Sequence, residues 1–302
     1  MRRARGMLLL VALVAVFAAL EAVPFYTDWL WFEEVGYGGV FLRVVALRSG
    51  LFLVVGLVSL LFVGINLRAA AYARPPDVFW ELEEPLGLPS RLILDPLLRR
   101  ALVPITLAVG LLFGLAASAE WQTLLGYRYA QPFGGAPDPI FQRDVGFYVF
   151  TLPLWRRALE GVFLLVGFTL GGTALLYFLG RVLVLTARGP VITARARAHL
   201  LGLGALLLFA KALDFYLDRF ELLYSQRGAV FGAMYTDVNA VLPALWLLSV
   251  LAALVGAAAL LQILRPGARP VFAGLVLLGV GWLVGLWAYP ALVQRIRVAP
   301  NA

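Results

Sequence analysis

Cysteine is absent from this sequence, histidine occurs once, at His199, and lysine once, at Lys211. Without cysteine there is no disulfide, no thiolate nucleophile and no thiolate metal site. A single histidine excludes His-pair metal sites and most Ser-His-Asp arrangements. Charge is scarce as well: 14% of residues are charged, against about 25% in an ordinary soluble domain. Any chemistry therefore falls to a few carboxylates, the arginines and one lysine.

What fills the space is apolar. The chain has 302 residues, 62% of them hydrophobic, and a mean hydropathy of +0.90, which places it in a lipid bilayer. An integral bundle needs no separate aqueous core, so one helical unit covers residues 1–302. The net charge of +8 comes almost wholly from arginine. No long basic run is interleaved with aromatics, so this charge suits anionic lipid headgroups and argues against nucleic acid.

A hydrocarbon layer about 30 Å thick takes about 20 mainly apolar residues as a helix. Seven segments meet this, roughly 7–23, 44–66, 101–119, 161–182, 199–220, 242–264 and 271–289, predicting an all-α, polytopic membrane helix bundle. The basic start MRRARG resembles a secretory signal, but no small-x-small cleavage site ends the apolar run, so the first segment reads as a retained span. Arginines favour the segments that are cytoplasmic if the N-terminus is inside. The fourth loop, with Arg181, Arg188, Arg195 and Arg197 and no acid, is the clearest case. The positive-inside rule then puts the N-terminus in the cytoplasm, the C-terminus outside, and the aromatic-rich loops on the extracytoplasmic face. Loop two, with ARPPDVFWELEEPLG at 73–87, predicts an interfacial helix or ordered cytoplasmic loop. Loop three, 120–160, is punctuated by Gly and Pro and rich in aromatics.

The fifth span ends in KALDFYLDRFELLYSQRG. At about 100° per residue, Lys211, Asp214, Asp218 and Glu221 fall within an arc of about 80° on one helix face. Two readings stand. In one, Lys211 and Asp214 pair and snorkel outward while Asp218 and Glu221 lie beyond the hydrocarbon; in the other, the four line a path for an ion or proton. Asp138, Arg143 and Asp144 in loop three, and Tyr235, Thr236, Asp237 and Asn239 in loop five, offer acid–base pairs or oxygen ligands. They equally suit turn formation and helix capping. The stretch FYTDWLWFEEVGY at 25–37 would, as one helix, spread Asp28, Glu33 and Glu34 around its circumference. That fits an interfacial aromatic wedge better than an active site. Seven spans and one lysine invite comparison with a retinal protein, but the lysine lies in the fifth span instead of the last, so no cofactor is expected.

Four stretches, in order, resemble a family of bacterial membrane proteins known as uncharacterised protein family 0182. They are YTDWLWFEEVGY at 26–37, with Tyr26, Asp28, Trp29 and Trp31; DPIFQRDVGFYVFTLPLWR at 138–156, with Asp138, Arg143 and Asp144; LDRFELLYSQRGAVFGAMYTDVNAVLPAL at 217–245, with Tyr235, Thr236 and Asp237; and YPALVQRIRVAPNA at 289–302. The resemblance implies a seven-span membrane region followed by a large extracytoplasmic domain, and no established activity. Because the chain stops at Pro300-Asn301-Ala302, the resemblance makes it an N-terminal portion. The expected role is a non-enzymatic membrane module, with the bilayer as one partner and an extracytoplasmic domain or envelope protein as another. The alternative is transport of an ion or small solute along the Lys211 face.

Overall fold

The computed structural model describes residues 19–20, 22–73, 94–186, 189–226, 231–265 and 269–301. The expected first span lies almost wholly outside these residues, as does loop two from Arg74 to Gly87. Among the described residues six helices are long and apolar enough to cross a membrane: Gly38–Ala71, Arg99–Ala119, Phe147–Leu179, Ala194–Tyr224, Asp237–Leu264 and Pro270–Val298. Their side chains are apolar almost all the way round, and Leu53, Leu164 and Leu247 are exposed on the outside, as befits a surface solvated by acyl chains.

In chain order, helix α1 covers residues 22–34, α2 Gly38–Ala71, α3 Leu94–Ala119 and the short α4 Trp121–Arg128. Helix α5, Leu152–Leu179, leads through a small hairpin of β1, Leu183–Thr186, and β2, Gly189–Ile192, into α6, Ala194–Glu221. The strands pair antiparallel, Leu183 with Ile192 and Thr186 with Gly189. Helices α7, Leu242–Leu264, α8, Arg269–Leu283, and α9, Tyr289–Val293, complete the chain. Gly36, at φ 78°, supplies the left-handed turn between α1 and α2.

The membrane helices form a row in the order α3, α2, α5, α6, α7, α8, each packing chiefly on the next. Glycine sets the closest contact, between α2 and α3. A Cβ on Gly110 would come within 2.8 Å of Leu60 Cβ and 3.0 Å of the Gly56 carbonyl oxygen, and one on Gly114 within 2.7 Å of the Phe52 carbonyl oxygen. Gly110 and Gly114 are one turn apart, the small-xxx-small spacing that lets helix backbones touch in lipid. The interior divides into three clusters: around Val63, Leu176 and Tyr177 at one end, around Tyr148, Leu159 and Phe220 at the other, and around Phe215, Leu245 and Leu248 between α6 and α7.

Four π turns interrupt this helical order, Phe147–Thr151, Asp237–Val241, Val284–Ala288 and Gln294–Val298. Each ends two residues before a proline: Pro153, Pro243, Pro290 and Pro300. Proline offers no N–H and its ring crowds the carbonyl four residues back. The preceding turn widens, and the residue before each proline donates five residues back, Leu152 N to Phe147 O and Leu242 N to Asp237 O among them. Pro104 sits inside α3 without such a turn.

Loop three is shorter than the sequence suggests. Helical structure resumes by Phe147, well before the expected start at Gly161, and α4 occupies 121–128. The run LPLWRRALEG reads as loop because of its proline and two arginines, yet proline is at home in a first helical turn and the arginines find acids in the structure. Replacing Gly110 by Leu forces α2 and α3 apart; a loss of about 1–3 kcal/mol is expected, read as a lower melting temperature of the detergent-solubilised chain, with Gly50→Leu, where nothing lies within 4 Å of the added Cβ, as the neutral control.

Candidate functional site

The charged stripe of α6 faces α5, and what meets it there is Arg156. Its Nη1 donates to Asp214 Oδ1 at 2.8 Å and its Nη2 to Asp218 Oδ1 at 2.6 Å. Nε lies 2.5 Å from Glu221 Oε1, but its N–H has no aligned acceptor, so this third contact is an ion pair by proximity. Lys211 Nζ donates to Asp214 Oδ2 at 2.5 Å and lies over the Phe215 ring. The four residues named from the sequence are therefore brought together, with one that sequence reasoning counted among loop arginines. Arg156 is the most buried member of the ion-pair set, 15% exposed against 22% for Asp214, 31% for Asp218 and 46% for Glu221. The signal that could have found it is the arc itself: three carboxylates and one lysine on one face require a further cation from a neighbouring helix, and the apolar segment before Gly161 holds Arg156 and Arg157.

Among the described residues, three carboxylates against two cations leave the cluster with one carboxylate in excess. Cavities flank it. One, of about 560 Å³, is lined by Tyr148, Arg156, Glu160 and Glu221, and another, of about 260 Å³ on the α7 side, by Asp218, Glu221, Gln226 and Leu286. On the same helix Arg219, 4% exposed, lies 3.9 Å from the ring centre of Tyr216 and 3.8 Å from that of Trp246. Aromatic faces here take the place of a carboxylate.

The motif carboxylates of the loops are held by their own segments. Asp138 Oδ1 accepts from the N–H groups of Ile140 and Phe141, and Oδ2 from Arg143 N at 2.8 Å and the Tyr148 hydroxyl at 2.8 Å. Asp144 Oδ1 accepts from Gly146 N and Phe133 N. Arg143 stacks over Phe147. Asp237, 1% exposed, reaches back to Met234 N at 3.2 Å, the reciprocal bond of a capping box, and Thr236 Oγ1 donates to Gln294 Oε1 at 2.7 Å, tying the start of the sixth span to the end of the last. Asp28 is exposed on α1, where Tyr26 packs on Trp29, Trp31 is 57% exposed, and Phe25 and Phe32 close on Phe41. The turn-and-cap reading thus describes Asp138, Asp144 and Asp237.

Burial works against charge on Asp138, but the N–H groups of Phe141 and Arg143, the Tyr148 hydroxyl and the N–H of Ile140 hold its carboxyl below the usual aspartate range. Asp144 is likewise lowered, by Gly146 N–H first and Phe133 N–H next. A depressed folded value means that the contribution to loop order is complete above the unfolded value of about 3.9 and is lost as pH falls through the folded one. Hydrogen-exchange protection at Phe141 and Arg143, taken relative to the intrinsic rate at each pH, is expected to hold down to about pH 4 and to fall below it. Asp138→Asn, whose amide nitrogen cannot accept from Arg143, loses about 1 kcal/mol of that protection at neutral pH.

Residues 5–302 match the sequence profile of the Uncharacterised protein family (UPF0182). A UPF0182 protein of Mycolicibacterium paratuberculosis is 37% identical over 307 residues, taking in 100% of this chain and 30% of that protein. UPF0182 proteins of Rhodococcus erythropolis and Streptomyces coelicolor are each 36% identical, over 99% of this chain and 31% of theirs. No solved structure matches. The chain spans about 30% of the length of the curated relatives it matches. With six bilayer-length apolar helices packed in one row, it is an integral, multi-pass membrane protein and belongs to the UPF0182 family.

Proposed function

We propose that this chain is a membrane-embedded platform whose motif-rich end docks a further extracytoplasmic domain or an envelope partner. The observation that carries this is a mismatch of order and exposure. The segments 131–151 and 235–241 are tied down by the Asp138 and Asp144 turns, the Asp237 cap and proline-set π turns, while Tyr129, Phe133, Phe231 and Tyr235 stand 66%, 58%, 65% and 50% exposed around them. Ordered backbone presenting exposed aromatics marks a contact surface, and about 70% of the length of the relatives lies outside the part matched here. The arginine distribution supports placing this end outside: Arg181, Arg195 and Arg197 flank the opposite ends of α5 and α6. In a chain without cysteine, Phe133→Cys provides one test of both points. It is expected to be labelled from outside by a membrane-impermeant maleimide, and several-fold less when the rest of a relative's chain is present. Labelling only from the cytoplasmic side contradicts the sidedness, and equal labelling with and without the remaining chain contradicts docking.

The charge excess at Arg156 favours a second role, passage of a proton or monovalent cation between the cavities on either side of α6. A purely structural clamp in hydrocarbon gains nothing from an extra carboxylate, which is costly to ionise there. Asp218→Asn neutralises the excess and leaves the Arg156–Asp214 bond in place. Reconstituted vesicles are expected to lose most proton or cation flux with this variant while its melting temperature stays within a few degrees; wild-type vesicles that carry no such flux dispose of the idea.

A further inference from the structure

At the end of the bundle away from the aromatic loops, three helices meet around the only histidine. His199 Nε2 lies 2.7 Å from Asn66 Oδ1 of α2, and its Nδ1 lies 2.8 Å from the Tyr177 hydroxyl of α5. Asn66 Nδ2 donates to Phe62 O at 2.6 Å, which turns Oδ1 toward the ring, so Nε2 carries the hydrogen and the neutral ring accepts from Tyr177 at Nδ1. Tyr177 is 3% exposed. A chain of buried polar groups drawn from three helices holds those helices at a fixed spacing, and here the spacing encloses a cavity of about 920 Å³.

The lining of this cavity points to an anion. Among the described residues it contains no acid. Arg195, exposed at the mouth, borders it, and the wall formed by Tyr72 carries two more guanidinium groups against its ring, Arg68 at 5.2 Å and Arg99 at 4.6 Å from the centroid. The first turn of α6 also opens here. Thr193 caps Ala196 N, leaving the N–H groups of Ala194 and Arg195 as donors that no helix satisfies internally. The remaining wall is small and apolar, Ala69, Ala73 and Ala194, and at Ile65, 66% exposed, it gives onto the lipid-facing surface.

We infer that this cavity binds a phosphoryl group, and that the group is the headgroup of an anionic phospholipid. The guanidinium of Arg195 and the first turn of α6 receive the phosphate, the Tyr72 wall with its two arginines adds positive potential, and the acyl chains leave past Ile65. The His199 relay acts by positioning: it keeps α2, α5 and α6 apart by the width of the headgroup. A phosphorylated soluble molecule has the same reactive chemistry, and the lateral opening at Ile65 is what favours the lipid.

The full chain, purified in mild detergent and exposed to equal phosphatidylglycerol and phosphatidylcholine, is expected in native mass spectrometry to retain phosphatidylglycerol preferentially. Arg195→Gln weakens that retention about tenfold, whereas Arg43→Gln, at the other end of α2, leaves it unchanged. Tyr177→Phe breaks the relay and also lowers retention; because it is buried and could cost stability, exposed Arg195 is the deciding variant. Inorganic phosphate at millimolar concentration is expected to displace the lipid. Phosphate binding that depends on Arg195 without any preference for phosphatidylglycerol would keep the phosphoryl site and move its source to solution, overturning the lipid assignment. Retention equal in wild type and Arg195→Gln, with no Arg195-dependent phosphate binding, overturns the site altogether.

Discussion

A charge inside hydrocarbon has to be met by protein, and Arg156 is where this bundle answers that constraint. Its bonds to Asp214 and Asp218 fix the register of α5 against α6, because a guanidinium bound through two nitrogens to carboxylates one turn apart cannot slide. The two helices run antiparallel, so a register set near one end is carried along both. On one side it brings Tyr148 onto Phe220 and Tyr224; on the other it brings Tyr177 onto His199. The aromatic face and the His199 cavity therefore hang from the same bridge. Loss of Arg156 itself would leave Asp214 and Asp218 without the cation they share, a cost of roughly 3–5 kcal/mol in comparable buried pairs.

The second constraint is that backbone polar groups must also be satisfied within the helix. Four prolines near helix ends break that ladder, and the chain absorbs each break by widening the preceding turn. The consequence is positional. A π turn inserts a residue into the helical repeat, so side chains on either side of it face different neighbours than a regular helix would give them. Tyr148 points to Asp138 and Asp237 folds back to Met234 from within such turns. Because the turns at 237–241 and 284–288 are in contact, the beginning of one span and the end of another are shaped together, with Thr236 bonded to Gln294 across them.

Much of this was legible in the sequence for a simple reason: apolar runs of bilayer length leave the backbone no choice but helix. The charged face of α6 was legible too, since helical periodicity alone puts Lys211, Asp214, Asp218 and Glu221 together. Its partner was not. Arg156 and Arg157 lower the local hydropathy of the fourth span and so hide its first turns, although charge neutralised across a helix pair ceases to oppose membrane placement. The Asn66–His199–Tyr177 relay was out of reach for a different reason. Its members are separated by 133 and 22 positions, and nothing in local pattern links an asparagine in one span to a histidine in another. The hairpin at 183–192 was missed because an apolar Val-Leu run beside a span reads as the end of that span.

The two ends of the bundle differ in how they use their polar groups. At the aromatic end Asp138 and Asp144 are held by backbone N–H groups of their own segment, and Tyr129, Phe133, Phe231 and Tyr235 stand exposed beside them. At the other end the Asn66–His199–Tyr177 relay is satisfied within itself, and the guanidinium of Arg195 is exposed beside it. Close to the aromatic end, the Arg156 cluster carries, among the described residues, one carboxylate more than its two cations. A clamp built for stability alone would be as well served by matched charges or by close-packed apolar side chains. Three acids around one guanidinium, with Glu221 bordering both flanking cavities, are more than holding α5 to α6 requires, since Asp214 and Asp218 already take both Nη groups of Arg156.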